Sequence, residues 1–295
     1  FRVRDSFRQD VIDQSQLVRV VSPVAAPSNT DLLDALATYG VQIDPSQIYW
    51  AGQSLGSIEG TLNTAANPRI SRAALNVGAA GLVDAFTNAP SFASQIAAIF
   101  AGLGIDLGLI QNPPPPSDPS YPSYLAQAHQ YLLTLQVAKW IIDPADPVNF
   151  AKNLKLSPLP NLLANPDGSV LQAPKEVLAQ AAMCDQTLPN PWNLLLAVNA
   201  GLSGATATPP SPPGALTEFQ WFIEPNAPAL AGCSSGGRVP HGFVLNYGYL
   251  AGSAPPFLYT PEADQADLQT LTGDAQSGIA DFLSTGALQP NVVVP

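Results

Sequence analysis

Charged residues are scarce in this chain. Lys, Arg, Asp and Glu make up 11% of 295 residues, whereas hydrophobic residues make up 46%. That balance excludes a disordered polyelectrolyte and leaves enough apolar material for a sizeable core in one large domain or two small ones. The charge that is present is mostly acidic, with a net value of −11. Such a surface repels phosphate backbones and argues against a nucleic-acid partner. An uninterrupted apolar run of about eighteen residues, the minimum for a membrane span, is also missing. The nearest stretch, Ile96 to Ile110, is broken by Gly102, Gly104, Asp106 and Gly108. Histidine and cysteine occur only twice each, too few and too dispersed for a metal-ligand cluster. No phosphate loop or dinucleotide fingerprint occurs, so no organic cofactor is expected. No signal peptide is visible, and the start at Phe1 suggests that upstream sequence was removed or left out.

Proline, by contrast, is abundant, with 31 residues gathered in clusters that read as stiffened loops. Between the clusters the periodicity alternates between helix and strand. Val3, Phe7, Val11, Val18 and Val21 predict a helix over residues 3–21. A second helix is expected at Asp31–Tyr39, capped by Thr30 and ended by Gly40. Ile48–Ala51 reads as a short strand stopped by Gly52, followed by a helix from Leu55 to about Asn67 and a strand at Ser71–Val77. Residues 79–160 differ. They are rich in Ala and Gly, contain the stiff segment Pro113–Pro122, and predict a helix over SYLAQAHQYLLTLQVAKWIID, closed by DPADP. Strands are expected again at 175–183 and 216–224. Helices are expected over PWNLLLAVNA, with Gly201 past its end, and over Pro261–Ser284, with Thr260 as cap and Gly286 past its end.

The chemistry concentrates at Gly52-Gln53-Ser54-Leu55-Gly56, a G-x-S-x-G pattern with a strand before it and a helix after it. A serine at so sharp a turn is strained and exposed, and glycine at both flanking positions avoids collision with neighbouring backbone. The Leu55 N–H, at the helix N-terminus, is aimed at a developing oxyanion. Ser54 needs a base. His129 sits within the predicted long helix, whereas His241 sits in the loop GGRVPHGFVLNYG, last in chain order. His241 is preferred. The orienting acid belongs at the end of the preceding strand, where Asp185 lies. Asp143 and Asp146 are rivals, but their Pro-flanked pattern reads as a capping turn. Cys184 immediately precedes Asp185, and Cys233 lies shortly before His241. Either cysteine fits as a buried apolar filler. Their placement beside the acid and base loops favours a disulfide that ties those loops together, which implies an oxidising compartment.

Together these residues resemble the α/β-hydrolase superfamily, and within it bacterial secreted lipases and esterases. AGQSLGS is similar to the family's nucleophile elbow, KEVLAQAAMCDQTLPNPW to its strand-and-acid segment, and VPHGF to its histidine loop. The resemblance implies an α/β fold with a mostly parallel sheet flanked by helices. Its core would be residues 1–78, with the elbow, and 161–295, with the acid and histidine loops. Residues 79–160 would form a helical lid or cap insertion. It implies hydrolysis of apolar acyl esters through an acyl-enzyme, with Ser54 as nucleophile, His241 as base and then acid, Asp185 as orienting acid and Leu55 in the oxyanion hole. It also implies a secreted, cell-surface or periplasmic location. Phe86, Phe92, Ile96, Ile99, Phe100, Leu103, Ile105, Leu107, Leu109 and Ile110 would line an acyl pocket or pack the insertion's own core. An acyltransferase or thioesterase would use the same triad, and a binding protein could keep the same fold.

The chain departs from the family in one respect. The elbow comes at residue 54 instead of after well over a hundred residues, without the usual preceding strands and without the histidine-glycine loop that supplies a second oxyanion donor. The expectation is that this chain is the C-terminal portion of a longer protein and that residues 1–78 pack against the remainder, either in the same chain or as a separate one.

Overall fold

A computed structural model of the protein describes residues 2–22, 31–206, 216–223, 239, 241–245 and 265–290. Four strands, β1 (Ile48–Gln53), β2 (Ile70–Asn76), β3 (Glu176–Ala182) and β4 (Phe219–Phe222), form one parallel sheet in the order β1-β2-β3-β4. Consecutive strands are neighbours, as short and uncrossed connections favour.

The helices are α1 (Arg2–Val21), α2 (Asp31–Thr38), α3 (Leu55–Ala66), α4 (Leu82–Thr87), α5 (Ala93–Gly102), α6 (Leu107–Gln111), α7 (Tyr121–Ile142), α8 (Pro147–Phe150), α9 (Lys152–Lys155), α10 (Asn190–Ala200) and α11 (Gln265–Thr285). Helix α3 joins β1 to β2, α4–α9 join β2 to β3, and α10 joins β3 to β4.

Side-chain alternation along the strands builds a three-layer α/β/α sandwich. Ala73 and Leu75 of β2, Val177, Ala179 and Ala181 of β3, and Phe219 and Trp221 of β4 share a core with Ala65 of α3, Ala151 and Leu154 near α9, and Leu196 and Ala197 of α10. The intervening residues point the other way. Ala74 and Leu178 pack on Phe282 of α11, while Ala182 and Phe222 pack on Leu271 and Ala275 of α11 and on Val239 and Phe243. Arg72 pins the opposite end of the sheet. It pairs with Glu176, its cross-strand neighbour, donates to the Leu283 carbonyl at 2.6 Å and lies over the Tyr49 ring at 4.9 Å.

The α/β expectation holds at this level, with local differences. Strand β1 runs through Gly52 to Gln53, because the ladder pairs Gly52 with Leu75 and Gln53 with Asn76. Glycine does not end the strand here. It permits close approach, since a Cβ at Gly52 would meet the Gly56 carbonyl oxygen at 2.1 Å. Strand β4 is shorter than 216–224, because Leu216 instead bridges Pro290. Gly40, Gly201 and Gly286 take the expected left-handed conformation just past their helices. The expected caps Thr30 and Thr260, and Pro261, lie outside the described residues.

Between β2 and β3, α7 has no buried residue, and Leu125, Leu132, Leu133, Val137 and Trp140 stand exposed along it, Trp140 by 73%. Of the apolar residues singled out in residues 79–160, Phe100 and Ile105 are buried, and Phe100 packs on Tyr131 at 5.0 Å. Ile99 and Leu103 are exposed. No helix among the described residues is long and apolar enough to cross a membrane.

Candidate active site

Each of the first three strands ends, at its C-terminal edge, in a non-glycine residue with positive φ: Ser54 (56°) after β1, Val77 (46°) after β2 and Cys184 (58°) after β3. Side chains avoid this region, most of all β-branched ones, and such strain gathers at functional sites. Open α/β sheets also place their sites outside the carboxyl ends of the strands.

Ser54 stands between β1 and α3 with its backbone N–H bonded to the Asn76 carbonyl at 2.9 Å. The turn is braced from beneath. The Ser57 hydroxyl lies 2.5 Å from the Gly52 carbonyl oxygen and 2.7 Å from that of Asn76, and Trp50 Nε1 donates to the Gly56 carbonyl at 2.8 Å. The pattern's two glycines are not equivalent, contrary to the sequence expectation. Gly52 has no room for a Cβ, whereas a Cβ at Gly56 meets nothing within 4 Å. The second tight position is Gly60, where a Cβ would fall 2.2 Å from Trp50 Nε1. Its one mark in the sequence is a glycine in the interior of a helix.

His241 joins the nucleophile to the acid. Its Nε2 lies 2.6 Å from Ser54 Oγ and its Nδ1 lies 2.7 Å from Asp185 Oδ2. An ionised carboxylate only accepts, so Nδ1 carries the proton and Nε2 is free to accept from the serine hydroxyl. The Asp185 side chain is fully buried and that of His241 is 11% exposed. The other carboxylate oxygen of Asp185 accepts the Thr187 and Leu188 N–H groups at 2.7 and 3.0 Å, which locks its rotamer. Asn190, at the start of α10, closes the acid loop. It donates to the Ala182 carbonyl at 2.7 Å and accepts the Cys184 N–H at 2.8 Å.

The structure therefore brings together three residues that the sequence singles out, Ser54, His241 and Asp185. The rivals lie elsewhere. His129 is exposed on α7. Asp146 is buried, and its carboxylate accepts backbone N–H groups from Gly81 (2.8 Å), Leu82 (2.7 Å) and Val148 (2.9 Å). It is the cap its Pro-flanked pattern suggests. Asp143 is exposed. Leu55 is the first residue of α3, where an N–H has no acceptor within the helix, and its side chain is half exposed beside Ser54. Cys184 is buried in the acid loop. Its expected partner Cys233 lies outside the described residues.

The arrangement is a hydroxyl, an imidazole and a buried carboxylate in series, with a helix N-terminus at the hydroxyl, and it is equipped to deprotonate the hydroxyl as it attacks an electrophilic carbon. No protein-family model matches this chain and no curated protein matches it.

Proposed function

We propose that the protein is a serine carboxylic-ester hydrolase, a lipase or esterase of the α/β-hydrolase kind. The observation that carries the reading is His241, within hydrogen-bond reach of Ser54 Oγ on one nitrogen and of the buried Asp185 on the other. Ser54 Oγ attacks the ester carbonyl carbon and passes its proton to His241 Nε2. Asp185 holds the Nδ1–H and stabilises the imidazolium. The Leu55 N–H donates to the tetrahedral oxyanion at the positive end of α3. The alcohol leaves with the proton from Nε2. Water then repeats the sequence on the acyl-enzyme and frees the acid.

An apolar acyl group suits the Leu55 side chain, which stands half exposed beside Ser54. Residues 79–160 are the proposed lid or cap. In the same reading Cys184 and Cys233 form a disulfide between the acid and base loops, and the protein works outside the cytoplasm. Strand β1 pairs on one side only among the described residues. A strand edge beside the nucleophile is a template for further pairing, and we assign it to an N-terminal portion of the same protein, in the same chain or a separate one.

The test is intact-mass analysis before and after treatment with an alkyl phosphonate ester, alongside hydrolysis of p-nitrophenyl esters. A single adduct on Ser54, absent from Ser54→Ala, with ester turnover lost in the same variant, is the expected result. Folded protein that neither takes the adduct nor turns over esters overturns the reading.

A further inference from the structure

One row of the sheet is made entirely of amide side chains. Gln53 of β1 is in register with Asn76 of β2, Asn76 with Gln180 of β3, and Gln180 with Gln220 of β4. By strand alternation all four project to the side of the sheet that α11 covers. Asn76, Gln180 and Gln220 are each no more than 2% exposed. A fully apolar row would be the less costly way to fill that space, because buried amides must all find partners. Here they do not, since the Asn76 side-chain oxygen is buried without one. The row is poorly explained as core packing.

Its hydrogen bonds point to another role. Asn76 Nδ2 donates to Gln180 Oε1 at 3.0 Å, which links the two central members. The other three donate to backbone carbonyls of segments outside the sheet. Gln220 reaches Gln289 at 2.7 Å, Gln180 reaches Ala275 of α11 at 3.3 Å, and Gln53 reaches the carbonyl of His241 itself at 2.9 Å. Gln53 is the residue immediately before the nucleophile. The base is thus held twice from the same turn: its ring nitrogen meets Ser54 Oγ and its backbone carbonyl is gripped by Ser54's chain neighbour. Elsewhere in the same segment, the Phe243 and Val244 carbonyls are tied to Thr272 and Gln276 of α11, and the Val239 N–H to the Met183 carbonyl. Among the described residues, the Gln53 contact is the one that ties the histidine's backbone to the nucleophile strand.

We propose that Gln53 is a positioning residue. Its amide fixes the His241 backbone relative to β1 and so sets the approach of Nε2 to Ser54 Oγ. The inference rests on the hydrolase reading above. It makes no use of Gln53 in binding the ester. Its loss acts on the proton-transfer steps, on which kcat depends, and leaves substrate affinity in place.

The experiment compares wild type with Gln53→Met, which keeps the length and removes the donor, and Gln53→Glu, which keeps the shape and turns an acceptor toward the His241 carbonyl. Ester turnover, the phosphonate labelling rate and Tm are read for each at pH 8. Misplacing a base lowers kcat and the labelling rate together, by about 10-fold to 100-fold, with KM held within about two-fold. Either variant that folds carries the test. A kcat within about two-fold of wild type, or a loss confined to KM and Tm, overturns the proposal while wild-type labelling leaves the hydrolase reading standing. Absence of labelling in folded wild type overturns the hydrolase reading and the Gln53 inference with it.

Discussion

Asp185 and His241 meet through one carboxylate oxygen only: Oδ2 lies 2.7 Å from Nδ1, while Oδ1 is taken by the Thr187 and Leu188 N–H groups. The division separates a chemical from a structural duty within one side chain. Asp185→Asn separates them experimentally. The Asn carbonyl oxygen still accepts the two N–H groups, so the acid loop keeps its shape. The amide nitrogen then faces Nδ1, and a donor opposite a donor forces the imidazole into the wrong tautomer. We expect kcat to fall by about 10⁴-fold on p-nitrophenyl esters while Tm stays close to wild type. Retention of even a tenth of the activity would assign the acid role elsewhere.

Asp146 should behave in the opposite way. It is as buried as Asp185, but its partners are three backbone N–H groups that begin α4 and α8. Asp146→Ala removes the cap and leaves one buried and two part-buried donors without it, at a cost on the order of 2 kcal/mol. Urea unfolding should show that loss, whereas the phosphonate labelling rate per folded molecule should match wild type. A labelling defect larger than the stability defect would bring Asp146 back as a working acid.

Much of this contrast is legible in the sequence, and the reason is local. Ser54, Leu55 and the strand and helix around them are fixed by a five-residue pattern whose sterics depend on its own backbone. Asp185 and Asp146 are distinguished by what flanks them, a buried strand in one case and prolines in the other. What stays hidden depends on register between distant segments. Gln53, Asn76, Gln180 and Gln220 become a row only when three parallel ladders align them. Likewise Gly60 reads as an unfavourable helix residue until Trp50 is seen to occupy the space where its Cβ would be. Val77 and Cys184 carry no composition cue for positive φ, because tertiary bonds hold them there, from Val77 N–H to the Gln180 carbonyl and from Cys184 N–H to Asn190.

The two glycines of the elbow offer a sharp test of that steric account. At Gly52 an alanine Cβ would fall 2.1 Å from the Gly56 oxygen and 2.7 Å from Trp50 Nε1, so β1 and α3 would have to separate. Gly52→Ala is expected to abolish phosphonate labelling and to lower Tm steeply. At Gly56, in the first turn of α3, the added methyl meets nothing. Gly56→Ala should keep labelling and gain about 0.5–1 kcal/mol, because alanine loses less backbone entropy on entering a helix. Equal damage from both substitutions, measured by labelling and by thermal unfolding, would show that the turn is held by something other than this close approach.

At the opposite end of the sheet, Lys175 donates to the carbonyls of Asn67 and Ile70, each at 2.8 Å, and desolvation by burial holds its ammonium down to about 8, against an ordinary 10.5. The unfolded chain therefore binds more protons than the folded one between those two values, and stability rises as pH increases through that window. Below about pH 8 the lysine is charged in both states and its contribution no longer changes. Deprotonation costs the fold no hydrogen bond, because a neutral amine still has two N–H donors for its two carbonyls. Lys175→Met removes the titration along with the donors. Urea midpoints measured from pH 7 to pH 10 should then show a pH-dependent gain for wild type that is missing in Lys175→Met, superimposed on a lower overall stability of the variant. Parallel curves would mean that Lys175 titrates at its ordinary pH in the fold, and that desolvation at this site is offset by the carbonyls it serves.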